Sequence, residues 1–268
     1  MTIRDRRFDW GARTYVMGIV NVSPESFSGD GVDSVDAAVA QAKRFEAEGA
    51  DIIDVGGMST RPNFRELTEK QELERAIPAV RAISDAVGLP VSIDTYRSGV
   101  AMAALQAGAH MVNDITGFRL DPPMARVVAG WRAPAVVMHN QRGRPFHDVI
   151  GDIRAGFEES LALAADAGVA REQLILDPGF GFGWTPPQSL EIIRRLGELR
   201  DLGLPLLVAS SRKSALGAVL DLPEDQRGWG TAASVALAIA NGADLVRVHD
   251  VAEMVQVCKV TDAIVRAG

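Results

Sequence analysis

Residues 35–55 read VDAAVAQAKRFEAEGADIIDV, and the reading of this stretch decides the fold. Val35, Ala38, Val39, Ala42 and Phe45 recur at the spacing of one helical face, so Val35–Glu48 is expected to be an amphipathic helix. Gly49 follows, and glycine takes the left-handed conformation of a helix C-cap without steric cost. Asp51–Val55 is then short and almost wholly apolar, as a parallel strand covered on both faces would be.

The same unit recurs outward in both directions. Further strands are expected at Tyr15–Val22, Pro90–Ile93, Met111–Ile115, Ala135–Met138, Leu174–Leu176, Leu206–Ala209 and Leu245–Val248. Helical patterns lie between them, at Glu69–Val87, Val100–Ala107, Ile153–Ala167, Ser189–Leu202, Thr231–Ala240 and Val255–Val265. Several stop at a glycine, as at Gly88, Gly108, Gly168, Gly203 and Gly242. Regular strand–helix alternation predicts an α/β fold with a parallel sheet. Eight repeats favour closure into a TIM-type (β/α)8 barrel, and about 250 residues is the usual size of one such domain. No G-x-G-x-x-G follows the first strand, which argues against an open dinucleotide fold. No linker interrupts the chain, so residues 1–268 are read as a single domain.

Composition narrows the function. With 47% hydrophobic and 24% charged residues the chain can bury a large core. The net charge is −7 and no basic stripe is present, so nucleic acid is an unsuitable partner. An anionic substrate would have to be met by a local positive site. No apolar run is long enough to span a membrane. The charged start, Met1 to Arg7, does not read as a secretory signal. The lone Cys258 fits a reducing compartment, and cytoplasmic residence is expected.

A barrel of this kind gathers its site at the C-terminal ends of its strands. There the sequence sets Asn21, then Gly56-Gly57-Met58-Ser59-Thr60-Arg61, then Asp94, Asn113-Asp114, His139-Asn140 and Asp177. The last two strands lead into Ser210-Ser211-Arg212-Lys213-Ser214 and into Arg247 and His249. Asp94, Asn113 and Asp177 suit a flat heterocycle with several N–H donors and a carbonyl, because carboxylates accept and an amide does both. The plainer alternative is that each caps a turn or a helix. Arg212, Lys213, Arg247 and His249 suit phosphate groups, which bind in this region of the fold beside a helix start. Their plainer alternative is a salt bridge to a rim carboxylate. No cluster of His or Cys suggests a metal cage. A hard cation such as Mg²⁺ could still bridge a pyrophosphate with few protein ligands, and Asn21 is the available oxygen donor.

These rim segments also resemble a known family. Met17-Gly18-Ile19-Val20-Asn21-Val22-Ser23-Pro24-Glu25-Ser26-Phe27-Ser28 and Gly49 to Gly57 with Ser59-Thr60-Arg61-Pro62 resemble the two signatures of the dihydropteroate synthases. Ser92-Ile93-Asp94-Thr95, Val112-Asn113-Asp114-Ile115, Leu176 to Gly183, Ser211-Arg212-Lys213-Ser214 and Arg247-Val248-His249-Asp250 follow in the family's order. The resemblance implies condensation of 6-hydroxymethyl-7,8-dihydropterin pyrophosphate with p-aminobenzoate, giving 7,8-dihydropteroate and pyrophosphate. It implies that Asp94, Asn113, Asp177 and Lys213 hold the pterin. Asn21 through Mg²⁺, with Thr60, Arg247 and His249, would hold the pyrophosphate. Arg61, Phe182, Ser214 and Phe27 would frame p-aminobenzoate, and a homodimer is expected.

The sequence departs from the family pattern at Met58, where Glu is usual, and at Asn63, Asp30, Asn140 and Trp184. Two rival readings stand beside the synthase. One is a pterin-dependent methyltransferase, which has no need of the Ser-Arg-Lys-Ser and Arg-Val-His segments. The other is a binding protein that holds pterin without turnover.

Overall fold

The structure is a computed structural model and describes residues 1–22, 34–57 and 67–266. The continuous apolar runs become eight parallel strands: β1 (Tyr15–Asn21), β2 (Ile52–Gly56), β3 (Val91–Asp94), β4 (Met111–Asp114), β5 (Ala135–Met138), β6 (Leu174–Asp177), β7 (Leu207–Val208) and β8 (Leu245–Val248). Neighbours in the ladder are neighbours in sequence, except that β8 pairs with β1. The remaining seam is closed at β6 and β7, where the Leu176 N–H donates to the Pro205 carbonyl at 2.9 Å. This is the single-domain (β/α)8 barrel that the alternation predicted.

Helices cover the outside: α1 (Val35–Glu48), α2 (Glu69–Ala86), α3 (Ser98–Gln106), α4 (Pro123–Trp131), α5 (Val149–Ala167), α6 (Pro186–Arg194), α7 (Ser214–Leu220), α8 (Gly228–Ala240) and α9 (Val251–Val265). The opening unit folds as its pattern requires. Ser34 caps α1 by accepting from the Ala37 N–H, and Gly49 ends it in the left-handed conformation at φ 99°. No helix among the described residues is long and apolar enough to cross a membrane.

Two apolar layers result. One lies between the sheet and the helices. The other fills the barrel itself, with Tyr15, Met17, Ile52, Met111, Val136 and Ile175 among its members. Its foot is closed by a feature that the sequence reading did not separate. A short antiparallel hairpin, Thr2–Ile3 with Arg6–Arg7, delivers Ile3 and Phe8 into the interior cluster. Phe8 and Tyr15 pack with tilted rings, centroids 4.7 Å apart, and Trp10 meets Tyr15 edge-on at 5.2 Å.

Other differences are local. Helix α4 starts at Pro123 in a short segment that periodicity did not single out. The stretch expected as one helix over Ser189–Leu202 is α6 followed by a 3₁₀ segment, Leu196–Leu202. Glycine at position 197 lowers the helical preference at that break.

Gly18 shows how closely the outer layer is packed. A Cβ there would stand 2.6 Å from Phe45 Cδ2 and 3.1 Å from Val251 Cγ2. Gly18→Ala is expected to lower stability by about 1–3 kcal/mol, the usual range for overpacking. Urea denaturation should show an earlier midpoint with an unchanged slope.

Candidate active site

Side chains alternate along a strand, so the residue two places beyond an interior apolar one faces the interior again. That rule leads from Met17 through Ile19 to Asn21, from Ile52 through Asp54 to Gly56, and from Ser92 to Asp94. It leads from Met111 to Asn113, from Ile175 to Asp177 and from Leu245 to Arg247. The lower interior is therefore oil and the upper interior polar, from one periodicity.

The centre of the polar layer is an ion cluster. Arg247 Nε donates to Asp54 Oδ2 at 2.6 Å, and its Nη2 donates to Asp94 Oδ2 at 2.7 Å. Asn113 Nδ2 donates to the same Asp54 oxygen at 3.1 Å. Asp54 is wholly buried and Asn113 nearly so. Burial pushes the Asp94 carboxyl up to about 7, although Arg247 opposes the shift; the Asp54 charge adds to it. Gly56 lies between these groups: a Cβ there would be in ordinary contact with Asn21 Oδ1 at 3.5 Å and Asp94 Cβ at 3.7 Å.

A second group stands at β6 and after β7. Burial raises the Asp177 carboxyl, against the pull of Lys213 and a hydrogen bond from the Gly179 N–H at 2.8 Å. Burial also lowers the Lys213 ammonium to about 8, against Asp177. Lys213 Nζ donates to the Phe180 carbonyl at 2.6 Å and lies 4.5 Å from the centre of the Phe182 ring. The Arg142 guanidinium lies 4.8 Å from the same ring centre. Ser214 opens α7 and is exposed. His249 Nδ1 and Ser211 Oγ are 2.9 Å apart, and that oxygen also accepts from the His249 backbone N–H at 3.2 Å.

The structure thus brings Asn21, Asp94, Asn113, Asp177, Lys213, Arg247 and His249 to the C-terminal mouth of one barrel. Thr60, Arg61 and Phe27, with the departures at Met58, Asn63 and Asp30, lie outside the described residues. Some rim groups take the plainer role. Arg212 forms an ion pair with Asp250, its Nε 3.1 Å from the carboxylate. Asp114 accepts from the Thr116 and Phe118 backbone N–H groups, which makes it a turn cap. His139 is not a rim group at all. Its ring is fully buried against Gln141 and Trp184, and burial holds it neutral, down to about 4.

Asp54 and Ser211 are polar residues of the site that strand-end reasoning left without a role. Asp54 had a signal, a charge inside the otherwise apolar run Ile52–Val55. Among the described residues no cluster of His, Cys, Asp and Glu could by itself hold a metal ion.

Parallel strands, a polar mouth with two buried carboxylates and a buried lysine, and cations on the last strands together define a barrel enzyme for a flat, N–H-rich ring. Residues 17–249 match the family model described as pterin binding enzyme, and the chain belongs to that family. A dihydropteroate synthase of Synechocystis sp. is 50% identical, the match covering 97% of this chain and 93% of the relative. A dihydropteroate synthase structure from Clostridium difficile, determined in the presence of pteroic acid, is 45% identical with a TM-score of 0.93, covering 97% of this chain and 100% of that one. The Xanthomonas albilineans enzyme with 4-aminobenzoic acid is 40% identical with a TM-score of 0.89, covering 94% and 93%. The activity is that of a dihydropteroate synthase, a transferase of folate synthesis.

The raised Asp94 carboxyl gives a signed pH effect. Between the ordinary carboxylate range and about 7 the folded chain holds a proton there that the unfolded chain has lost. This contribution to stability is present at low pH and is lost as pH rises through about 7. Asp94→Asn removes the titration. The stability of the variant relative to the parent should therefore increase between pH 5 and pH 7.5, as read by urea denaturation at each pH.

Proposed function

We propose that this mouth condenses 6-hydroxymethyl-7,8-dihydropterin pyrophosphate with p-aminobenzoate through the residues named above. The observation that carries the assignment is the convergence of Asp94, Asn113, Asp177 and Lys213 on one mouth beside Arg247. The carboxylates accept from the ring N–H and amino groups, Asn113 meets the ring with its amide, and the Lys213 ammonium supplies a donor. Each buried donor–acceptor pair adds about 1–3 kcal/mol that is lost when one partner is removed.

On this reading the pterin methylene carbon loses its bond to the pyrophosphate oxygen in a largely dissociative step. Arg247 neutralises the charge that grows on the leaving group, and His249 and Thr60 donate hydrogen bonds to it. Ser211 Oγ accepts from the His249 backbone N–H and lies 2.9 Å from Nδ1, which fixes the direction in which the ring faces. Asp94 and Asp177 offset the positive charge that spreads into the ring. The aniline nitrogen of p-aminobenzoate then forms the new C–N bond and releases a proton. Phe182 and Ser214, with Arg61 and Phe27, hold that second substrate. Holding two reactants in line is worth roughly 7–11 kcal/mol at best, so no strong general base is required.

Mg²⁺ fits this donor set. Asn21 offers one hard oxygen beside Asp94, and Mg²⁺ keeps waters and substrate phosphate oxygens as its other ligands. When bound, it would withdraw charge from the departing pyrophosphate. The reading also includes a homodimer. Trp229, Val260 and Ile264 are 89%, 62% and 74% exposed, and Trp229 and the latter two stand on α8 and α9, which pack together. Trp229, the most exposed of them, is the candidate contact between copies. A cytoplasmic location agrees with the lone, buried Cys258.

Steady-state pyrophosphate release should be stimulated by p-aminobenzoate, which traps the pterin after the bond breaks; a methyltransferase or a silent pterin-binding protein would release none. Asp177→Ala and Asn113→Ala should each weaken pterin binding about tenfold or more while changing p-aminobenzoate binding little. Titration calorimetry with each ligand separates the two effects. Trp229→Glu should move the chain from dimer to monomer in light scattering.

A further inference from the structure

Asp54 sits within β2, one alternation below the rim, and none of the substrate roles above uses it. A carboxylate removed from water is costly unless it is paired and hydrogen-bonded. The pairing of this one is specific. Its Oδ2 takes Nε–H from Arg247 at 2.6 Å and Nδ2–H from Asn113 at 3.1 Å. These two side chains serve different substrates, Arg247 the pyrophosphate and Asn113 the pterin.

Each bond restricts what its donor can do. An ionised carboxylate only accepts, so the amide of Asn113 must turn its nitrogen to Asp54 and keep its carbonyl oxygen for another partner. A neutral amide at position 54 would remove that preference, since it can donate as well as accept. Arg247 is held at Nε, the inner edge of its guanidinium. Its Nη2 is bonded to Asp94, a carboxylate that the pterin also needs. A ring that engages Asp94 would compete with Nη2 for that carboxylate, while the bond at Nε to Asp54 would still hold the guanidinium.

We infer that Asp54 is a positioning residue: it sets the amide of Asn113 for the pterin and anchors Arg247 for the pyrophosphate, which couples the two subsites through one carboxylate oxygen. The inference rests on the synthase reading above. A role in stability alone would leave the orientation of Asn113 and Arg247 unchanged.

The test is a pair of double-mutant cycles on the full chain, with folding checked by thermal melting. Asp54→Asn preserves volume and removes the charge. It should weaken 6-hydroxymethylpterin binding about tenfold in the parent chain, and by less than about twofold on an Asn113→Ala background. The same pattern is expected for Mg²⁺-pyrophosphate on an Arg247→Gln background. In turnover, Asp54→Asn should raise KM for the pterin pyrophosphate and lower kcat, with KM for p-aminobenzoate unmoved. If Asp54→Asn does not fold, Asp54→Ser enters the same cycles. Equal losses with and without Asn113 or Arg247 would overturn the positioning role and leave the synthase reading standing. Unchanged pterin affinity in Asn113→Ala itself would overturn both.

Discussion

A guanidinium enclosed by protein must be matched by charge, or the fold that encloses it fails. Arg247 is matched by Asp54 from β2 and Asp94 from β3. Removing either acid would leave a buried charge short of a partner, which costs several kcal/mol. The three strands are therefore held by the same bonds that shape the pocket. Because β8 also pairs with β1, the cluster reinforces the barrel where the last strand meets the first. Stability and chemistry meet in one set of side chains, and the strained quantity is the Asp94 proton, displaced to about 7 by burial and by the Asp54 charge.

The segment after β6 is organised differently, by backbone approach instead of ion pairing. A Cβ on Gly179 would fall 1.9 Å from the His139 carbonyl oxygen, and one on Gly183 would fall 2.4 Å from the Arg142 nitrogen. Both glycines have positive φ, 76° and 82°. Only bare backbone lets the segment after β6 lie against the segment after β5. The Gln141 N–H then donates to the Phe182 carbonyl at 3.1 Å, and the His139 N–H to the Asp177 carbonyl at 2.9 Å. Phe182 and Lys213 take their places from this contact. The buried, neutral His139 packs beneath it against Gln141 and Trp184.

Most of the barrel was legible because buried parallel strands are written as uninterrupted apolar runs. Ala135–Met138 and Leu245–Val248 matched to the residue. What escaped lacked that signature. The N-terminal hairpin carries Arg4, Asp5, Arg6 and Arg7, and its two buried contributors, Ile3 and Phe8, are too far apart to form a run. Strand ends gave Asn21, Asp94, Asn113, Asp177 and Arg247 because the last interior position of a strand is also the rim. Asp54 was overlooked by the same logic, since β2 ends one alternation later, at Gly56. The pairing of Arg212 with Asp250 could not be read from the chain, because it depends on how the turn after β7 faces the start of α9.

The plug at the foot of the barrel has a consequence for how the chain acquires its shape. Tyr15 pairs with Leu245, Thr14 bonds Asp262 at 2.7 Å, and Arg266 reaches back to the Gly11 carbonyl at 2.8 Å. Thr14 and Asp262 are thus partners 248 positions apart in sequence. Contacts so distant in sequence are slow to form, because a long loop must close before any bond rewards it. Until then Ile3, Phe8 and Trp10 have no interior to fill. These side chains stay exposed and adhesive until their distant partners close over them, so a slow closure favours aggregation.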